Sequence, residues 1–205
     1  MPLNTDWIIA EYLANRVASE VPVILMPTIQ YGYYPFFLEY PGSVSLKLNT
    51  FKEMVKDICI SMSNYGIKKF YVLNTGVSTI YRLKMAAEEL RGRGIEMRYT
   101  DILKALSSVE KEISEQEGGT HADEIETSMM LYIKPEVVDM SKAVKDYHPM
   151  KGRGLTRNPE KKDAGAYSPS GIFGDATLAS AEKGEIIVEN LVKYIIDEVR
   201  EFMSK

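Results

Sequence analysis

The densest set of reactive side chains in this sequence is Gly118-Gly119-Thr120-His121-Ala122-Asp123-Glu124-Ile125-Glu126-Thr127-Ser128, with one imidazole and three carboxylates within six residues. A histidine and a carboxylate aimed into one pocket can bind a metal ion or act as acid and base. In a helix starting at Ala122, Asp123 and Glu126 share a face at i,i+3, and His121 sits at the N-terminus beside the glycine pair. The same residues also suit a helix start with no chemistry, because acids in a first turn complement the dipole and cap it. Asp6, close behind Asn4 and Thr5, invites the same plain reading. As a first-turn acid it is worth about 0.3–1 kcal/mol.

A second stretch poses the opposite puzzle. The apolar run Phe70-Tyr71-Val72-Leu73 stops at Asn74 and enters a loop of Thr75, Gly76, Val77, Ser78 and Thr79. Ligands in alternating strand–helix chains sit at the carboxyl ends of strands. This loop stands at such an end without a charge, a histidine or a cysteine. A third stretch, Gln30-Tyr31-Gly32-Tyr33-Tyr34-Pro35-Phe36-Phe37, is aromatic enough to wall a small-molecule pocket or to form a subunit contact. His148, in Tyr147-His148-Pro149, reads as a surface histidine. Gly152 and Gly154 follow no strand and do not make a phosphate loop.

The elements that must position these groups alternate along the chain. Residues 5–19 have helical apolar spacing at Ile8, Ile9, Tyr12, Leu13 and Val17, with Asn4 or Thr5 as cap. The run 21–26, VPVILM, reads as a strand buried on both faces. Residues 28–48 form a long loop with a short strand in VSLKL. Thr50 and Glu53 make a capping-box pattern for a helix to Tyr65, stopped by Gly66. A strand over 68–73 follows, then a helix from a Ser78 or Thr79 cap to Arg91, a strand over 95–99, a mostly helical stretch over 101–117, and a helix or mixed element over 122–133. Residues 141–177 read as a surface loop, and 178–203 as a last amphipathic helix with a break at Gly184. The order predicts one α/β domain over 1–205, a layered sandwich with a mostly parallel sheet flanked by helices.

Composition narrows the function classes. A chain of 205 residues with 45% hydrophobic residues supports one core. A net charge of −4 argues against a nucleic-acid partner or an anionic membrane surface. No apolar run approaches the roughly 18–20 residues of a membrane span. No signal peptide is visible, so the cytoplasm is the expected location. The single cysteine, Cys59, lies in a helical apolar pattern and reads as core.

Several stretches together resemble the creatininase family. Pro2-Leu3-Asn4-Thr5-Asp6 looks like L-P-L-x-T-D, and Met26-Pro27-Thr28-Ile29-Gln30-Tyr31-Gly32 like P-x-x-x-Y-G. Tyr40-Pro41-Gly42-Ser43-Val44-Ser45-Leu46 looks like F-P-G-T-x-S-L, and His121-Ala122-Asp123-Glu124-Ile125-Glu126-Thr127-Ser128 like H-A-G-E-x-E-T-S. Gly174-Asp175, Ala179 and Glu182-Lys183-Gly184 resemble the segment opening the last helix. The resemblance implies a hydrolase with two divalent ions (zinc, manganese or iron) acting on the C–N amide bond of a small molecule, assembled as a homo-oligomer, often a hexamer. It makes Asp6 the bridging metal ligand, His121 the acid–base or substrate-positioning group, and Glu126 a metal ligand or supporting carboxylate. Ser43, Tyr31 and the loop residues Thr75, Gly76, Val77 and Ser78 would touch substrate.

Two departures follow from the same comparison. The family's N-G-H-G-G-N loop corresponds to Asn74-Thr75-Gly76-Val77-Ser78-Thr79, so glycine stands where the pattern has a metal-binding histidine. The family's first strand ends in a metal-binding E-x-H just before L-P-L-x-T-D, and Met1 here falls at the first Leu of that motif. The expectation is therefore a domain lacking that strand, with Met1 internal to a longer chain and an incomplete metal site. A catalytically inactive member that binds a small molecule or serves as a scaffold subunit is the alternative.

Overall fold

The computed structural model describes residues 1–148 and 168–205; the Gly152 and Gly154 reading lies outside them. The elements are α1 (Thr5–Glu20), α2 (Leu48–Ser63), β1 (Lys69–Val72), α3 (Ile80–Arg91), β2 (Glu96–Tyr99), α4 (Ile102–Ile113), α5 (Glu124–Ile133), β3 (Lys145–Asp146), β4 (Gly174–Asp175) and α6 (Ala181–Ser204).

β1 and β2 pair in parallel, Lys69 opposite Glu96 through Val72 opposite Tyr99. Successive strand residues point to opposite faces, and here they enter two different cores. Phe70 and Val72 pack with Phe51, Val55 and Cys59 of α2 and Leu83, Ala86 and Leu90 of α3. Tyr71 and Leu73 pack with the larger core of α1, α4, α5 and α6, where Leu13, Met130, Ile187 and Leu191 are fully buried. The layered α/β arrangement is thus as the alternation predicts. Cys59 is buried, and burial pushes its thiol up to about 11.

The sequence reading needs five corrections. Residues 21–26 form no strand: Val23, Ile24, Leu25 and Met26 are 40–71% exposed. A strand needs a hydrogen-bonded neighbour, and among the described residues β1 pairs only with β2. Residues 44–48 form no strand either; Leu46 N–H donates to the Gly32 carbonyl at 2.8 Å, and α2 starts at Leu48. The capping box at Thr50 therefore falls inside the helix, whose N-cap, Lys47, makes no side-chain cap bond. The 141–177 segment is not all loop, since β3 and β4 pair antiparallel, with Lys145 opposite Asp175.

The last correction is at Gly184, which does not break α6. Its backbone is ordinary helix, and a Cβ there would stand 2.0 Å from the Ser128 carbonyl oxygen. Glycine lets α6 lie directly on α5.

Candidate active site

The three acids of the 121–128 stretch separate in space. Asp123 is the N-cap of α5: its Oδ1 accepts from the N–H groups of Ile125 (3.0 Å) and Glu126 (3.1 Å), and its Oδ2 from Gln116 Nε2 at 2.8 Å. The shared i,i+3 face with Glu126 is thus not formed, because Asp123 precedes the helix. Glu124 is fully buried and turned the other way. It accepts from Ser114 Oγ at 3.1 Å, from the N–H groups of Glu115 and Gln116 at 2.9 Å, and from Lys183. Only Glu126 faces the pocket.

Ala122 shapes the entry to α5. It holds a left-handed φ of 49°, rare outside glycine, and its N–H donates to the Glu126 carboxylate. His121 is fixed just before it by backbone bonds with Phe173, whose N–H donates to the His121 carbonyl at 2.8 Å. The imidazole Nδ1 lies 3.6 Å from Glu126 Oε2, and the ring meets Phe37 at a centroid distance of 4.4 Å.

Asp6 enters the same cavity from the first turn of α1. Thr75 Oγ1 donates to the Asp6 carbonyl at 3.3 Å, which ties α1 to the loop after β1. That loop is pinned from within: Asn74 Nδ2 donates to the Gly76 carbonyl at 2.8 Å, and Thr79 Oγ1 donates to Asn74 Oδ1 at 2.6 Å. Thr79 is the N-cap of α3 by position, but its hydroxyl holds the loop instead of capping. Gly76 is buried, Ser78 and Ser43 are half-buried, and Val77 and Tyr31 lie at the exposed rim. All nine expected site residues line one cavity of about 2220 Å³. His148 lies apart, exposed and 2.8 Å from Asp146.

Burial sets the protonation states. Desolvation, with the Asp6 and Asp123 charges adding to it, pushes Glu126 up to about 8. Burial raises Asp6 to about 6, opposed by a hydrogen bond from the Tyr34 side chain. Burial lowers His121 to about 4, so its imidazole is neutral at neutral pH. Tyr34 is the residue sequence reasoning passed over. It lies in the aromatic stretch, but only its contacts mark it out.

The sequence profile of the creatininase family, described as creatinine amidohydrolase, matches residues 1–199. The chain belongs to the creatininase family. It is 28% identical over 219 aligned residues to a creatinine amidohydrolase of Pseudomonas putida, covering 98% of this chain and 83% of that protein. It is 27% identical to a 3-dehydro-scyllo-inosose hydrolase of Thermotoga maritima, covering 100% of this chain and 73% of that one. Among solved structures, a creatininase named as its Mn form superposes with a TM-score of 0.76 at 26% identity, over 98% of this chain and 84% of that one. A mutant creatininase of Zn-Zn type gives the same TM-score, identity and coverage. Hydrolysis is thus the chemistry named for these family members, and divalent metals are named for the structures.

Among the described residues, the side chains do not assemble such a metal centre. Catalytic zinc sites commonly use three protein ligands. Among the described residues, no group of three or more His, Cys, Asp or Glu side chains is arranged to hold an ion. Asp6 and Glu126 supply two carboxylates, and Gly76 in the loop after β1 supplies no side chain.

Proposed function

We propose that this creatininase-family chain is an amidohydrolase that opens a C–N amide bond of a small molecule in the pocket between the aromatic stretch and the 121–126 turn. The observation that carries the reading is that Asp6 and Glu126 line one cavity. They come from the first turns of α1 and α5, and the Asp6 charge helps to keep Glu126 protonated.

The chain's own groups divide the acid–base work. The neutral His121 imidazole accepts a proton from water as the water oxygen adds to the amide carbon. Glu126, protonated at neutral pH, gives its proton to the departing nitrogen as the C–N bond breaks. The imidazolium then returns a proton to the adjacent Glu126 carboxylate, which restores both groups. Asp6, mostly ionised above pH 6, orients an N–H of the substrate. Ser43, Tyr31, Val77 and Ser78 line the approach, and the backbone of Thr75 and Gly76 closes it. The resemblance expects zinc, manganese or iron here, but the described residues do not by themselves complete a site for an ion. General acid–base catalysis supplies roughly 10²–10⁴-fold, so slow turnover is expected. A cytoplasmic homo-oligomer, up to a hexamer, goes with this reading.

The glycine at position 76 favours the second reading, a small-molecule-binding or scaffold subunit without catalysis. One assay separates the two: amine release from cyclic amides, formamides and short peptide-like amides, beside calorimetric binding of the same compounds. Turnover that falls at least 100-fold in both Glu126→Gln and His121→Asn supports hydrolysis. Binding without amine release supports the second reading.

A further inference from the structure

Gln116, in the turn between α4 and the glycine pair, stands behind both groups of the acid–base pair. Its side-chain amide makes three hydrogen bonds to two segments. Nε2 donates to Asp123 Oδ2 at 2.8 Å, and Oε1 accepts from the N–H of Asp175 at 3.0 Å and from the N–H of Glu124 at 3.3 Å. Two backbone N–H groups can meet only an acceptor, so the amide oxygen must face them and the nitrogen must face Asp123.

Each bond leads to one of the pair. Asp123 Oδ1 caps α5 at the N–H groups of Ile125 and Glu126, so the bond to Oδ2 fixes the turn that carries Glu126. Asp175 lies two residues after Phe173, which holds the backbone around His121. The Thr120 N–H donates to the Phe173 carbonyl at 2.9 Å, and the Phe173 N–H donates to the His121 carbonyl at 2.8 Å. The two segments meet with no room between them. A Cβ on Gly174 would stand 2.5 Å from the Asp123 Cβ and 3.2 Å from the Gly119 Cα, and neither is the movable end of a side chain.

We propose that Gln116 is a positioning residue: its amide locks the 173–175 segment to the N-cap of α5 and so sets His121 against Glu126 and Phe37. The proposal rests on the acid–base reading for its consequence, but its test reads positions and not turnover, so the two fail separately.

The test reverses the polarity of one hydrogen bond. Gln116→Glu leaves two carboxylates facing each other. Asp123→Asn, whose oxygen must still cap α5, leaves two amide nitrogens facing each other. The double variant Gln116→Glu/Asp123→Asn restores one donor and one acceptor, and asparagine remains a good N-cap. The readouts are melting temperature and the nuclear Overhauser contact between the His121 and Phe37 rings, whose centroids lie 4.4 Å apart. Each single variant is expected to lose that contact and about 5 °C of Tm, and the double variant to regain the contact and at least half of the Tm. Gly184→Ala, which loosens α6 on α5 away from the amide, should lower Tm and keep the contact. A single variant that keeps the contact overturns the proposal. So does a double variant that fails to regain it, or a Gly184→Ala variant that loses it.

Discussion

Lys183, in the first turn of α6, reaches the fully buried carboxylate of Glu124 at the start of α5. The pair sits behind the site, not in it. Glu124 also gathers Ser114 Oγ and the N–H groups of Glu115 and Gln116, so one carboxylate ties the end of α4 to α5 and α6. Removing one partner of a buried pair leaves an uncompensated charge, at a cost of about 3–5 kcal/mol. The N–H donors that remain on Glu124 place Lys183→Met at the low end of that range, about 3 kcal/mol. Urea denaturation checks it, and a change below about 1 kcal/mol would show that the N–H groups alone satisfy the carboxylate.

Gly184→Ala tests the contact of α6 with α5. Helix propensity favours alanine over glycine by about 1 kcal/mol. Against that, the new Cβ would stand 2.0 Å from the Ser128 carbonyl oxygen and 2.7 Å from its carbon. Backbone cannot rotate away as a side chain end can, and overpacking of this kind costs about 1–3 kcal/mol or more. The clash is expected to win, with net destabilisation of about 1–2 kcal/mol and a Tm about 2–8 °C lower in a thermal melt.

These two contacts mark where the sequence was legible and where it was not. The helices at 5–20 and 80–91 and the strand around 69–72 follow from apolar spacing, because each buries a face the pattern already names. Residues 21–26 carry an equally apolar pattern, but pairing is a property of neighbours, and among the described residues none pairs with them. Glu124 and Glu126 stand two apart in one acidic stretch. Only the turn at Ala122 and the reach of Lys183 send one into the interior and the other into the pocket. Gly184 looked like a helix break because a lone glycine in sequence does not show what lies across from it. Asp6 read locally as a first-turn acid, and only the match to a family motif singled it out. Tyr34 was hidden among four other aromatics of residues 30–37, since nothing in that run shows which ring lies against Gly76, 42 positions away.

Stability should fall as pH rises past the carboxylate range. Glu126 and Asp6 have folded pKa values raised to about 8 and about 6. A raised acid holds its proton in the fold, so its contribution is fully present below the unfolded value and is lost as pH climbs through the folded one. Glu126→Gln removes that dependence, so its stability relative to the wild type should grow between pH 5 and 8. Urea midpoints across that range check the sign. A flat difference would show that Glu126 is ionised in the folded protein.

His121 titrates in the opposite sense, and its cause is testable at one contact. Burial holds the imidazole down at about 4, and Phe37 covers one side of the ring at 4.4 Å. A base with a lowered folded pKa stays neutral in the fold while the unfolded chain takes up a proton, so stability is lost as pH falls from 6.5 toward 4. Phe37→Ala admits water to the ring and weakens the desolvation that does the lowering. The imidazole pKa should then rise from about 4 toward its usual 6.5, and the acid-side loss of stability should shrink with it. The chain has two histidines, so a proton NMR titration reads them directly, with His148→Gln to assign the resonances. An imidazole that still titrates near 4 in Phe37→Ala would place the desolvation with the 121–126 turn and not with the aromatic wall.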